Sequence, residues 1–472
     1  MGPNALEQHI VLVGFMGAGK TTVGREVARR LDREFFDLDE VIEQQLKSPI
    51  PEIFAQYGED GFRALETQVL MEELLLRNRY WSVIAAGGGI VETSFARTAL
   101  ADLAFNVLLE VDVDTAWARV RESDRPLARD ETEFRRRYER RVPLYEEVAD
   151  VRARDADDVA LAAAGVHVEI GALERLGELV PEGRVALVSE PVVAGIYGAD
   201  AQLALGERLA EVHELPTGER AKTVQEVERL WRALRIQRKD VLLALGGGSL
   251  TDAAGFAACT FGRGCPWVPV PTSLVGQVDA AIGGKTAIDI PEGKNLVGAF
   301  HWPVRTVIDP ALIETLPAHE RLNGMSEVVK TGLLMGEPVW TLPDAELVRR
   351  CAAFKSAVCL RDPHDEGPRR VLNLRHTFAH ALEAAAGYEL SHGHAVALGL
   401  LAALRLSGRE TEAVDELLDP KPVSVDRERA WQALQRDKKG RMRIVLLDDD
   451  GGRVTELPEA DVRAALDSLI AR

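Results

Sequence analysis

The chain has 472 residues, 46% of them hydrophobic and 28% charged, with a net charge of −18 at neutral pH. That length exceeds what one hydrophobic core supports, so two or three domains are expected, and the acidic balance argues against a nucleic-acid partner, because phosphate-backbone binding needs a basic field. No apolar run reaches the roughly 20 residues of a membrane span, no secretory h-region is expected, and Cys259, Cys265, Cys351 and Cys359 form no CxxC pair. A cytoplasmic protein with no membrane partner is the expectation.

In chain order, His9–Val13 reads as a buried strand and Thr21–Leu31 as a helix, joined by Gly14-Phe15-Met16-Gly17-Ala18-Gly19-Lys20-Thr21. The spacing GxxxxGK[ST] between strand and helix is that of a nucleotide-triphosphate loop. Backbone N–H groups of Gly17, Ala18, Gly19 and Thr22 close around phosphate oxygens, Lys20 reaches the outer phosphates, and the Thr21 hydroxyl can ligate Mg²⁺. Asp37 and Asp39 follow at a strand end, placed either to hold the metal and orient a hydroxyl or simply to cap a helix. Arg63 and Glu66 lie one helical turn apart, so the arginine can be held by its own carboxylate. Gly87-Gly88-Gly89 after the strand-like run Ser82–Ala86 lets a polar ligand approach the backbone. Arg125 sits in a charged stretch, and Arg141 precedes Pro143-Leu144-Tyr145; most of Arg135-Arg136-Arg137 and Arg140-Arg141 reads equally as a solvated helix face. With Asn106–Val111, these runs predict a parallel sheet covered on both faces.

Residues 9–155 in this order of motifs resemble shikimate kinase. The resemblance implies ATP with Mg²⁺ on Thr21 and Asp37, and transfer of a phosphoryl group to give shikimate 3-phosphate. It implies that Arg63 and Arg141 clamp the shikimate carboxylate, as bidentate guanidinium geometry suits. Gly87, Gly88 and Gly89 would line the ring, Asp39 would orient the accepting hydroxyl, and Arg125 would swing in on a lid. Leu38 departs from the family, which commonly has Thr between the two aspartates.

The acidic, alanine-rich text at Asp155–Val166 shows no clear strand and reads as a linker. Strand-like runs then recur at Arg184–Ser189, Glu211–Leu215, Asp240–Gly246 and Trp267–Pro271. From about Pro310 helical periodicity takes over, until Arg443–Leu447 and Arg453–Leu457 flank a hairpin turn at 448–452. Gly246-Gly247-Gly248 after an apolar strand fits a pyrophosphate turn or a mere tight connection. Asp279, Lys285, Lys294 and Asn295 crowd a short stretch, either facing an anionic substrate beside a dinucleotide or standing on solvated loops. His376 and His380 are i,i+4 neighbours that alone could chelate one ion, and His392 and His394 follow closely.

From about 180 to 450 these motifs look like 3-dehydroquinate synthase, within a wider fold family that includes glycerol dehydrogenase-like enzymes and sugar-phosphate cyclases. The resemblance implies conversion of 3-deoxy-D-arabino-heptulosonate 7-phosphate to 3-dehydroquinate with phosphate release, with NAD⁺ regenerated each cycle and a divalent metal, Zn²⁺ or Co²⁺. It implies Glu327, His376 and His392 as metal ligands and His380 as a substrate-phosphate or proton-relay residue. Glu219, Lys222, Gly247, Gly248, Asp252, Thr272, Ser273, Asp279, Lys285 and Lys294 fall where that family contacts NAD. Lys285, Lys294, Asn295, Lys330, Lys355, Arg369 and Asn373 match its substrate pocket, and Arg263 would reach a neighbouring subunit's site, implying a homodimer. Several positions depart from the family. Thr251, Arg375 and Ala379 replace glycines, His394 replaces Glu, Pro363 and Asp365 alter an acidic segment, and only 24 residues separate Lys330 from Lys355.

The expected architecture is therefore α/β: a P-loop kinase domain with a parallel sheet (1–160), an NAD-binding α/β domain (168–309) and a mainly helical metal and substrate domain (310–472). The rival for the second half is a divergent sugar-phosphate cyclase, a polyol dehydrogenase or an inactive scaffold beside an active kinase.

Overall fold

The computed structural model describes residues 4–76, 80–122, 127, 130–387, 389–438, 442–449 and 451–471; Arg125 and Asp450 lie outside them. The chain folds as two compact units that divide between Gly165 and Val166.

Five parallel strands make the sheet of the first unit: β1 His9–Val13, β2 Phe35–Asp37, β3 Val83–Ala85, β4 Ala104–Leu109 and β5 Val151–Ala153, in the order β2-β3-β1-β4-β5. β1 and β4 are buried along their whole length, as near-continuous apolar runs are when helices cover both faces. The one polar intruder on β4, Asn106, donates to the Leu100 carbonyl at 2.8 Å. Central β1 feeds the phosphate loop, which opens into the helix Lys20–Leu31. Gly17 there has φ 82°, and a Cβ on it would lie 2.9 Å from the Ala116 carbonyl oxygen, so only glycine fits.

The segment read as a linker is structured. Ala156–Ala163 is a helix whose N-terminus is capped by Asp155, which accepts from the Asp158 N–H at 2.9 Å. Val159, Ala160 and Ala163 are buried, and Asp157 pairs with Arg30 of the first helix. Alanine loses no side-chain entropy in a helix and packs closely, while the acidic residues supply cap and tether.

In the second unit four parallel strands, β7 Val185–Ser189, β8 Leu209–Glu214, β9 Val241–Gly246 and β10 Trp267–Pro271, lie in the order β10-β9-β7-β8. β6 Val166–Val168, where no strand was read, pairs in parallel with β13 Thr306–Ile308. The lysine-bearing stretch is an antiparallel hairpin, β11 Lys285–Ile290 with β12 Gly293–Phe300, irregular at Ile288 and Ile290. Helices dominate beyond it. Ala318–Met335 and His376–Ala385 pack against His392–Leu406, whose run of Ala, Val and Leu is buried on nearly every face. The late hairpin forms as β14 Arg443–Asp448 with β15 Gly451–Glu456. No described helix is long and apolar enough to cross a membrane.

Candidate active sites

In the first unit the carboxyl ends of β1, β2 and β3 bring the loop, the two aspartates and the glycine triplet together. Lys20 donates from Nζ to the carbonyls of Gly14 at 2.7 Å and Phe15 at 3.1 Å, fastening the loop onto itself. Thr21 donates through its hydroxyl to Asp37 Oδ2 at 2.6 Å, and Asp37 Oδ1 accepts from the Asp39 N–H at 3.0 Å. Asp37 thus caps the helix Leu38–Leu46 and also meets the loop hydroxyl. These adjacent oxygen donors suit a small hard cation. A cavity of about 790 Å³ runs along Gly17, Ala18, Gly19, Lys20, Thr21 and Thr22.

A second cavity of about 390 Å³ is lined by Asp39, Arg63, Glu66, Gly88, Gly89 and Arg141. Thr21, Asp37, Asp39 and Gly88 line both cavities, so a phosphate on the loop and a molecule beside the arginines would meet there. Arg63 Nη1 donates to Glu66 Oε2 at 2.7 Å. Glu66 is fully buried; desolvation pushes its carboxyl up to about 7, with Arg63 pulling the other way. Arg141, also buried, donates to the Gly88 carbonyl at 2.9 Å and to Glu92 Oε2 at 2.8 Å, and Arg63 Nε lies 3.5 Å from the same Glu92 oxygen. Burial acts against ionisation of Glu92, yet the arginines, Arg141 first, hold it down to about 2. Tyr145 donates to the Gly88 carbonyl as well. The glycine triplet leaves room for the site's own side chains: a Cβ on Gly87 would lie 1.8 Å from Glu66 Oε1, and one on Gly89 2.0 Å from Arg63 Cζ. Arg135 and Arg136 pair with surface acids, and Arg140 pairs with Glu92.

In the second unit Gly247 caps the helix Gly248–Thr260 at the carboxyl end of β9, where open α/β sheets form their ligand crevice. Its N–H donates to Glu190 Oε1 at 3.2 Å, and a Cβ on Gly248 would stand 3.1 Å from Ala280 Cβ, so a side chain there would crowd Ala280. Beside it Lys222 donates to Asp252 Oδ2 at 2.7 Å and to Asn295 Oδ1 at 2.5 Å. Glu219 accepts from Ser249 at 3.0 Å and lies 3.7 Å from Lys294. Thr272 and Ser273 follow β10, with the Ser273 hydroxyl accepting from the Gly276 N–H. The residues proposed for a dinucleotide therefore share one crevice edge, apart from Lys285, which pairs with Asp365 at 2.6 Å, and Asp279, which sits with lysines deeper in.

Asp279 Oδ2 accepts from Lys330 at 3.2 Å, and Lys355 donates to the Asp279 carbonyl at 2.6 Å and to its carboxylate. Burial would raise the Asp279 carboxyl, but Lys330 and Lys355 hold it below its ordinary value, while burial keeps Lys355 lowered. Arg369 is buried and donates to the Gly283 carbonyl at 3.0 Å. Asn373 ends the short helix Pro368–Asn373. Arg263 follows the C-terminus of Gly248–Thr260, exposed and about 20 Å from the glycine turn by helical rise, apart from this cluster.

Glu327, His376 and His392 come from three helices, of which Ala318–Met335 and His376–Ala385 both pack against His392–Leu406. Lys330 lies 2.8 Å from Glu327 Oε2, and Arg375 donates to Oε1, the same oxygen that His392 Nε2 faces at 3.4 Å. Glu383 accepts from His392 Nδ1 at 3.1 Å, the carboxylate–imidazole pairing that orients metal-binding histidines. Burial would lower His392, but Glu327 and Glu383 push it up to about 9. His376 Nδ1 is buried without a hydrogen-bond partner, its ring 5.1 Å from that of His380 in an edge-on arrangement. His394 points elsewhere, onto the Lys421 carbonyl at 2.7 Å. A buried carboxylate, an oriented imidazole and an orphaned imidazole nitrogen are the right chemistry for a borderline divalent ion. As the side chains stand, no three His, Cys, Asp or Glu groups among the described residues converge on one point. Arg375 takes the Glu327 oxygen that His392 faces.

Four contributors escaped the sequence: Glu92, Glu190, Glu383 and the contact made by Arg375. Glu92, three residues after the glycine triplet, was the one within reach of a motif; the others meet their partners across 48 to 57 positions or, for Glu383, across a loop.

The fold and these two sites define a two-part α/β enzyme, a phosphate-loop kinase joined to a sugar-phosphate cyclase fold. Residues 16–169 match the family model of shikimate kinase, 212–323 that of the 3-dehydroquinate synthase N-terminal domain and 324–440 that of its C-terminal domain. The 3-dehydroquinate synthase of Bordetella pertussis is 38% identical over 354 positions, covering 66% of this chain and 99% of that protein. The one from Gloeobacter violaceus is 41% identical over 347, covering 64% and 96%. Among solved structures, 2-epi-5-epi-valiolone synthase from Streptomyces hygroscopicus, with NAD⁺ and Zn²⁺ bound, is 27% identical with a TM-score of 0.56, covering 64% of this chain and 96% of its own. A 2-deoxy-scyllo-inosose synthase with NAD⁺ and Co²⁺, 23% identical with a TM-score of 0.58 and the same coverage, shares the fold. The chain belongs to the 3-dehydroquinate synthase family and carries a shikimate kinase domain ahead of it; it is a bifunctional enzyme of the shikimate pathway.

Proposed function

We propose that the cavity beside the phosphate loop takes shikimate, with the carboxylate on Arg63 and Arg141 and the accepting hydroxyl at Asp39. The observation carrying this is that Thr21, Asp37, Asp39 and Gly88 line both cavities, which puts donor and acceptor end to end. The amides of Gly17, Ala18, Gly19 and Thr22 and the Lys20 ammonium hold the ATP phosphates, and Thr21 and Asp37 hold Mg²⁺. An incoming carboxylate displaces Glu92 from the two guanidinium groups, so that Glu92 keeps the arginines aligned while the pocket waits. Arg125 acts as the lid cation.

In the second unit the crevice at Gly247 and Gly248 takes NAD⁺, with Glu219, Lys222, Asp252, Thr272 and Ser273 around it. When bound, NAD⁺ supplies reversible hydride acceptance, and a divalent ion held by Glu327, His376 and His392 supplies Lewis acidity at the alcohol oxygen. Lys330 and Lys355, already paired on Asp279, hold the acid substrate, 3-deoxy-D-arabino-heptulosonate 7-phosphate, by its anionic groups with Lys285, Lys294, Asn295, Arg369 and Asn373. His380 lies beside His376 with an exposed ring suited to passing a proton to the departing phosphate. The second unit comprises a dinucleotide half (168–309) and a helical half (310–472), and Arg263 completes a neighbouring protomer's site in a homodimer. The test is to assay one purified preparation for ATP-dependent shikimate phosphorylation and, separately, for NAD⁺-dependent phosphate release with added Zn²⁺ or Co²⁺. Absence of either activity removes the corresponding half.

A further inference from the structure

Arg375 stands at an unusual place. It precedes the helix His376–Ala385 with φ 90° and ψ −30°, in a region side-chain-bearing residues rarely enter. Its side chain is fully buried, and of its guanidinium nitrogens only Nη2 finds an acceptor, Glu327 Oε1; Nε and Nη1 have no hydrogen-bond partner. Backbone strain and two orphaned donors oppose this placement, and the ion pair with Glu327 is what holds it. Room for it is built in: a Cβ on Gly399 would come within 2.7 Å of the Arg375 carbonyl oxygen and 3.1 Å of its Cβ.

The oxygen that Arg375 occupies is the one His392 faces, and Lys330 takes the other, so Glu327 already meets two cations. A divalent ion on Glu327 would press against a guanidinium in a water-poor interior, where like charges repel strongly. We infer that Arg375 is a built-in occupant of the cation position: its guanidinium and a divalent ion exclude one another at Glu327, and the ion binds only when Arg375 is displaced. This rests on Glu327, His376 and His392 being the ion's donor set. The arginine keeps the buried carboxylate neutralised while the site is empty, so the helices of this half stay assembled without metal. The orphaned donors make Arg375 readier to leave than a fully bonded arginine would be.

The experiment uses full-length protein stripped with chelator and titrated with Co²⁺, followed by its visible absorption and by calorimetry. Arg375→Gly suits the backbone angle, and Arg375→Gln keeps the side-chain length without the charge, which covers a failure of the first to fold. Both variants are expected to bind Co²⁺ about tenfold or more tighter than the parent chain. Chelation should lower the thermal midpoint of the variants and leave that of the parent nearly unmoved, with Co²⁺ restoring the variants. Adding His376→Ala to Arg375→Gly should abolish the tight binding. Equal or tighter binding by the parent overturns the proposal, as does absence of binding in all three chains. Phosphate release under saturating Co²⁺ is read separately: variants that bind tightly yet release no phosphate leave this proposal standing and sink the synthase assignment of the site.

Discussion

The two units neutralise their buried cations to different depths. In the kinase unit Arg63 and Arg141 share Glu92 at the edge of an open cavity, so on the proposed reading an arriving carboxylate has that one carboxylate to displace. In the synthase unit Lys330, Lys355 and Arg375 are engaged by Asp279 and Glu327, so on the proposed reading a ligand has two carboxylates to displace. The synthase site is neutralised through two carboxylates, and Glu327 is buried far more deeply than Glu92.

The largest expected break falls on the kinase side. Asp39→Asn keeps the shape of the side chain but removes its negative charge and is expected to cut phosphoryl transfer by roughly a hundredfold to ten-thousandfold, measured as kcat with shikimate saturating. Unchanged kcat would take Asp39 out of the reaction. Next, Arg141→Lys removes the fork that reaches both Gly88 and Glu92; the Michaelis constant for shikimate should rise by about tenfold or more while that for ATP stays put. A parallel rise in both would mean that Arg141 supports the fold instead of the acid.

The pH response sharpens the contrast. Glu66 is raised to about 7 in the folded unit, above its unfolded value. Its protonated form is thus favoured by folding, and the stability it contributes is present below pH 4.5 and lost as pH rises toward 7. The loss is on the order of 3 kcal/mol at most. Glu66→Gln, which mimics the neutral acid, should flatten the fall of the first unit's thermal midpoint between pH 5 and pH 8; an unaltered slope would contradict the assignment. The smallest effect belongs to the helix read as a linker: Asp155→Ala removes its cap and should cost about 1 kcal/mol in denaturant unfolding of the first unit.

Legibility followed distance along the chain. The phosphate loop, the Asp37–Asp39 pair, Arg63 with Glu66 and the glycine triplet are local patterns whose partners lie within a turn or one strand, so their geometry could be read from spacing. The reason for the glycines was different, since the space beside Gly87 and Gly89 is taken by Glu66 and Arg63. Glu92 was missed because its partners, Arg63 and Arg141, are 29 and 49 positions away. Arg375 was noticed as a departure from glycine, but its grip on Glu327 depends on how two helices pack against a third, which no local pattern encodes. The stretch at 155–166 misled because short side chains and acids are common to linkers and to well-capped, closely packed helices. The β11–β12 hairpin was obscured by its lysines and glycines, which resemble a loop until the antiparallel register is seen.

The central claim is that two separate chemistries share this chain. It is tested most directly by measuring both activities in Lys20→Ala and His376→Ala. The account predicts that Lys20→Ala abolishes shikimate phosphorylation and leaves NAD⁺-dependent phosphate release intact, and that His376→Ala does the reverse. Loss of both activities from either single change would contradict it.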